Sequence, residues 1–301
     1  MKLIRRFAPL LLIPALLGGA VRAAPALKPA PLPDAEPAMW VVKDKDTTIY
    51  LFGTFHALDG KRDWFNDEVK AAFDASQDVV LEVITPENPA ELGPIVMKYG
   101  LDTSGKTLTS KLSPASRAQL AATLAKYKMA PTALDRFKPF FASLTLTNLQ
   151  FAKLGLGPDA GAEAVLRKAM AGTTKKLGAV ESIDDQLGMF AALSDPEQIK
   201  LLEASLKEDG SASVEIARLL DAWSKGDAAS VAKAIQQSDK ESPALYKLMF
   251  TDRNARWVKW VDQRLESPGT VFLAVGAGHL AGDRSVVSLL QKQGLKVHRV
   301  Q

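Results

Sequence analysis

The chain has three histidines and no cysteine. Two of the histidines share one setting. Ile49-Tyr50-Leu51-Phe52-Gly53-Thr54-Phe55-His56 and Val271-Phe272-Leu273-Ala274-Val275-Gly276-Ala277-Gly278-His279 are each an apolar run closed by Gly-x-x-His. An imidazole can carry a proton near neutral pH or ligate a metal through its free nitrogen. Glu82 is the next residue of interest, because it interrupts Val79-Val80-Leu81-x-Val83-Ile84, a run with no other charge. Burying a lone carboxylate there is costly unless it is paired or bound to metal. An edge position facing solvent, or a buried arginine partner, accounts for Glu82 as well as chemistry does. Glu181 ends the run Leu177-Gly178-Ala179-Val180 and either faces the same crevice or extends the cap made by Ser182. Arg253 and Asn254 lie on a helical stretch that leads into the second histidine run. An arginine fork suits a carbonyl or carboxylate, although a surface salt bridge is the commoner fate of a helical arginine.

Together these residues define a hydrolytic possibility. Two neutral imidazoles and a carboxylate, His56, His279 and Glu82, can hold a divalent ion with open positions. Such an ion activates water and polarises a carbonyl. Glu181 is a second carboxylate able to take the water proton, and Arg253 and Asn254 can orient substrate or stabilise an oxyanion. A thiol mechanism is excluded by the missing cysteines, and no Gly-x-Ser-x-Gly motif occurs.

The elements that must position these groups follow from the pattern. The two apolar runs read as parallel strands buried on both faces, with glycine expected to turn the chain at the strand end. Each is followed by a loop, a helical stretch and another strand, at 78–83 and 295–300. A parallel strand pair joined by a helical crossover explains that order. Both histidines then fall on one sheet edge, where ligands gather in open parallel sheets. Trp40-Val41-Val42 and Thr48-Ile49-Tyr50-Leu51-Phe52 predict a hairpin leading into the first histidine strand. From about 86 to 265 the periodicity is mostly helical, with a short strand expected at 175–181. Phe137, Phe140, Phe141 and Phe151 read as one aromatic core cluster. Gly155-Leu156-Gly157 is no dinucleotide fingerprint, since no strand precedes it and Pro158 intervenes. His298, in the last strand without a glycine before it, reads as structural or exposed. The expected fold is mixed α/β, a largely parallel central sheet with two β-Gly-x-x-His-α-β units from the chain ends and a large helical insertion covering it.

Residues 1–23 read as a cleavable signal peptide, with Lys2, Arg5 and Arg6 before an apolar run too short for a stable span. This predicts a periplasmic or secreted protein without a membrane span after cleavage. Residues 24–38 hold five prolines and read as a flexible or extended lead-in. The whole chain counts 38 basic and 34 acidic residues. Lys2, Arg5, Arg6 and Arg22 belong to the signal, which leaves 34 of each and no net charge. Without a basic stripe, nucleic acid is rejected as the main partner.

The motifs also carry a family resemblance. Gly53-x-x-His56 after Tyr50-Leu51-Phe52, Leu81-Glu82, Glu181-Ser182 with Gln186, Arg253-Asn254-x-x-Trp257 and Ala274-Val275-Gly276-Ala277-Gly278-His279-Leu280 resemble the TraB/GumN family, related to the Tiki metalloproteases and more remotely to erythromycin esterases and ChaN-like haem-binding proteins. The resemblance covers about 40–300 and implies one domain over 39–301, with a helical insertion at about 86–265. It further implies that His56, Glu82 and His279 match positions tied to metal-dependent chemistry, and that Arg253 and Asn254 match the family's Arg-Asn pair. Gly161-Ala162-Glu163 stands where members often have Gly-x-Asp, which leaves the role of Glu163 open. The leading expectation is an exported metal-dependent hydrolase, peptidase-like, using manganese, cobalt or zinc on a peptide or other small substrate. The alternatives are an envelope protein that binds haem, metal or peptide without turnover, and an accessory factor in polysaccharide export.

Overall fold

The computed structural model describes residues 32–86, 88–206 and 211–301. The expected signal peptide and the first part of the lead-in lie outside the described residues. From Asp34 the lead-in is docked: Ala35 is buried and its amide donates to the Asp63 carbonyl at 3.0 Å.

Six strands form one sheet, β1 (Met39–Lys43), β2 (Thr47–Thr54), β3 (Asp78–Val83), β4 (Lys176–Glu181), β5 (Gly269–Gly276) and β6 (Val297–Arg299), in the order β4-β3-β5-β2-β1-β6. β2, β3, β4 and β5 pair in parallel, and β1 runs antiparallel to β2 and β6. The two histidine strands are direct neighbours, with Thr54 beside Gly276 at their carboxyl ends. The expected hairpin is β1–β2. The expected strand pairs are not neighbours, however. β5 separates β2 from β3, and β6 lies on the far edge against β1. The crossovers therefore skip positions, and the second unit closes the sheet from the other side.

Alternation along the buried strands divides the core in two. Phe52, Phe272, Ala274, Val79 and Leu81 face one layer, which the helices Asp67–Ala75 and Ser211–Ser224 cover with Phe73 and Trp223. Ile49, Leu51, Val271, Leu273 and Val275 face the other, covered by Trp257, Val258 and Val261 of the helix Asp252–Leu265 and by the helix Val286–Lys292. The helical insertion is itself divided, because β4 returns to the sheet within it. Phe137 stacks on Phe141 at 5.2 Å and Phe140 on Phe190 at 6.0 Å, as core. Phe151 does not join them and packs instead in the layer of Phe52. His298 is exposed on β6. Among the described residues no helix is long and apolar enough to cross a membrane.

Candidate active site

The carboxyl ends of β2, β3, β4 and β5 bring together His56, Glu82, Glu181 and the turn before His279. The Gly-x-x-His glycines act here through their size. Gly276 keeps an ordinary backbone at φ −48°, and a Cβ on it would stand 3.2 Å from both Glu82 Oε2 and His56 Nε2. A Cβ on Gly53 would meet Ala277 at 3.1 Å. The expected sharp turn is therefore not what these glycines supply. One lets the two histidine units touch, and the other leaves room where the site groups converge.

His56 sits just past β2, its side chain 14% exposed. Its Nδ1 is 2.7 Å from Glu163 Oε1, which also accepts the Thr54 hydroxyl at 2.5 Å. A carboxylate partner fixes Nδ1 as the N–H and turns Nε2 inward. Nε2 lies 4.0 Å from Glu82 Oε2. Burial pushes the His56 imidazolium down, but the charge and hydrogen bond of Glu163, with the charge of Glu82, outweigh it and raise the pKa to about 9. Glu163 reaches His56 through the backbone. Leu58 and Gly157 exchange both amide hydrogen bonds, at 3.2 and 2.9 Å, and the Ala162 amide donates to the Phe55 carbonyl at 3.1 Å. A Cβ on Gly161 would come within 2.1 Å of the His56 carbonyl oxygen, so only glycine permits this approach.

Glu82 is 3% exposed and thus far from the solvent edge. Its partner is a buried arginine: Arg253 Nη2 donates to Oε1 at 2.5 Å, joined by Gln186 Nε2 at 2.9 Å, while the Gly276 amide donates to Oε2 at 2.9 Å. Burial would raise its pKa, but Arg253 above all, with the histidines, holds it below the ordinary carboxylate range. Glu181 also faces this cluster. It accepts from Arg253 Nε and Nη2, from Arg256 Nη2 at 3.1 Å and from the Trp257 indole at 3.1 Å. Ser182 still caps the next helix, in a capping box with Asp185. Arg253 is 2% exposed, so it is no surface bridge. A π-helical turn at Lys247–Thr251 precedes it, and the Met249 carbonyl there accepts from Nη1 at 3.2 Å.

His279 lies in a short helix, Ala277–Leu280, its ring tilted against those of Trp257 and Phe250 with centroids 4.3 and 4.9 Å away. Asn254 Nδ2 donates to the Arg284 carbonyl at 2.8 Å, which leaves Oδ1 to accept from His279 Nδ1 at 2.6 Å. Nε2 lies 3.1 Å from Arg253 Nη1, a group that only donates. His279 is therefore neutral, with its proton on Nδ1. Burial, then the Arg253 charge, push it well below the ordinary histidine value. Asn254 is buried behind His279, where it sets the ring rather than meeting a substrate.

Both imidazoles thus have Nδ1 anchored and Nε2 inward, as metal ligands commonly do. As arranged, though, the three expected ligands do not fit one ion. His56 Nε2 and Glu82 Oε2 face each other beside Gly276, but His279 Nε2 is taken by Arg253, whose guanidinium bridges it to Glu82. Among the described residues no three His, Asp or Glu side chains form a group that could hold a metal ion.

His56, Arg253 and His279 line a pocket whose walls are mostly apolar, among them Phe55, Trp223, Val231, Ile235 and Phe250. It offers about 40 Å³ to the centres of water-sized molecules, room for a few waters or a small group. Sequence reasoning left out Thr54, Gln186 and Trp257 as site residues and left the role of Glu163 open. Gln186 and Trp257 stood inside the family motifs. Thr54 carried no signal beyond adjacency to Gly53.

The model for the TraB/PrgY/gumN family matches residues 38–299. A protein of Treponema pallidum (strain Nichols), described as an uncharacterized protein, is 23% identical over 281 residues, which is 89% of this chain and 84% of the relative. No solved structure matches the chain.

Proposed function

Since the chain belongs to the TraB/PrgY/gumN family, we propose that it is a hydrolase of peptide-like acyl compounds, acting at the sheet edge where His56, Glu82, Arg253 and His279 meet. The observation that carries this reading is the 4.0 Å gap between His56 Nε2, which lines the pocket, and the buried Glu82 Oε2 beside Gly276. The gap is too long for a direct hydrogen bond and suits one bridging water. An anchored imidazolium and an ionised carboxylate there form an acid and base pair.

In this mechanism a water held between the two groups attacks the substrate carbonyl carbon and gives its proton to Glu82. The charge of the Arg253 guanidinium, which lines the pocket beside His279, stabilises the developing oxyanion electrostatically. His56 Nε2 then protonates the leaving nitrogen or oxygen as the bond to carbon breaks. The proton on Glu82 returns to His56 across the same gap. The net change is one water consumed. Glu82 is a weak base while Arg253 holds its charge, so the rate must come from positioning and from the guanidinium more than from basicity. Glu163 and Asn254 are positioning residues, each holding one imidazole by Nδ1. The apolar walls favour a small uncharged group next to the scissile carbonyl. The divalent ion expected from the resemblance enters no step. The export signal expected at residues 1–23 would put this activity in the periplasm or outside the cell.

The test is a series of amides and esters with acyl groups from acetyl to phenylacetyl, offered to the wild type and to His56→Ala. Hydrolysis favouring small apolar acyl groups, and lost in the variant, supports the reading. Turnover that survives unchanged in His56→Ala sinks it.

A further inference from the structure

The position of Arg253 bears on a question that holds whether or not the pocket turns over a substrate, namely which cation this site is built around. We infer that Arg253 is the resident cation of the site, and that its guanidinium occupies the place a divalent ion shared by Glu82 and His279 would need. Three of its neighbours hold charge or lone pairs toward it and a fourth sets its plane. Nη2 sits on Glu82 Oε1 at 2.5 Å and Nη1 on His279 Nε2 at 3.1 Å, so one planar group covers both expected donors. Nε and Nη2 sit on Glu181 at 2.9 and 2.6 Å, so the same group is also clamped from behind. The Trp257 ring lies 4.9 Å from the guanidinium carbon and helps fix its plane.

The charge arrangement agrees. A buried carboxylate pair demands a nearby positive charge, and Arg253 supplies it to Glu82 and Glu181 together. An ion at Glu82 and His279 would place a second, divalent charge against a guanidinium that has no solvent to retreat into, because Arg253 is 2% exposed. His279 holds its lone pair toward Arg253 only because Asn254 fixes the other nitrogen. Nε2 is thus kept as an acceptor for an N–H donor. Arginine is suited to this place, since its fork meets two carboxylates and an imidazole at fixed angles where a lysine ammonium would meet fewer.

The test reads metal binding, not turnover. The purified full-length protein is dialysed against manganese, cobalt or zinc chloride, and bound metal is measured by elemental analysis and by calorimetric titration. His279→Ala, Arg253→Met and the double variant are treated alike. The expected result is that the wild type holds no ion that depends on His279. Arg253→Met should gain one ion per chain, lost again in the double variant. An ion held by the wild type and lost in His279→Ala overturns the inference, and so does a folded Arg253→Met that gains none. Should Arg253→Met fail to fold, the wild type still decides. Its His279 ¹⁵N signals should report a proton on Nδ1 and stay fixed as zinc is added, and a zinc-dependent shift at Nε2 overturns the inference.

Discussion

Replacing Glu163 by glutamine removes one charge, keeps the side-chain shape and isolates what that carboxylate does to His56. In the wild type the His56 pKa rises from 6.5 to about 9, against burial, chiefly because Glu163 lies 2.7 Å from Nδ1. The interval from 6.5 to about 9 corresponds to about 3 kcal/mol of folding stability. A raised histidine pKa stabilises the fold fully below 6.5, and this contribution is lost as pH rises through about 9. In Glu163→Gln the largest raising cause is gone while burial remains, so the His56 pKa falls and the contribution disappears. The assay is urea denaturation of both proteins from about pH 6 to about pH 10, read as the stability difference at each pH. Groups elsewhere titrate in both proteins and cancel. The wild type should lead by about 3 kcal/mol more at the acid end than at the alkaline end. Parallel stability curves, or a His56 imidazole that titrates unchanged by NMR in the variant, would mean that Glu163 does not hold the His56 proton.

Three further outcomes follow from the same contacts. Gly276→Ala puts a Cβ 3.2 Å from Glu82 Oε2 and His56 Nε2; the fold should survive by circular dichroism, while hydrolysis falls by about a hundredfold through displacement of the pair. Asn254→Ala unpairs His279 Nδ1 and the Arg284 carbonyl, and should cost about 1–3 kcal/mol by denaturation and lower kcat more than it raises KM. Asp102→Asn breaks the ion pair that Asp102 Oδ2 makes with Lys111 Nζ at 2.5 Å, both side chains under 10% exposed; Lys111 keeps Asp195 at 2.7 Å, and the cost should be about 2 kcal/mol at neutral pH. The Asp102 carboxyl is lowered from 3.8 to about 2, so the pair's contribution is present above 3.8 and is lost as pH falls through about 2. The gap between wild type and Asp102→Asn should narrow in acid over that range.

What was legible in the sequence is what local chemistry dictates. The runs Ile49–Phe52 and Val271–Val275 read as buried strands because they are short, unbroken by polar residues and rich in β-branched and aromatic side chains. Glu82 stood out as a charge needing a partner, with a buried arginine among the answers, and Arg253 is that arginine, shared with Glu181. What depended on distant pairing was not legible. The edge position of β6 is set by β1, more than 250 residues earlier in the chain, and no local pattern encodes it. Phe151 lies about three turns beyond Phe140 on the helix Pro139–Lys153, far enough along it to meet a different layer. Glu163 reaches His56 through the Leu58–Gly157 bridge and the bare Cα of Gly161, so a stretch that reads as a plain loop in sequence is what seats the carboxylate. The glycines of the two histidine motifs were recognised but assigned a turn, when close approach was their use.

The most direct measurement of the central claim is cleavage of an unbiased peptide mixture, read by mass spectrometry, with the wild type beside Glu82→Gln. The variant keeps the shape of Glu82, and Arg253 keeps its bonds to Glu181. Cleavage should fall next to small apolar residues and be slowed at least ~10²-fold in Glu82→Gln. Equal product from both proteins, or none above background from the wild type, would contradict that claim.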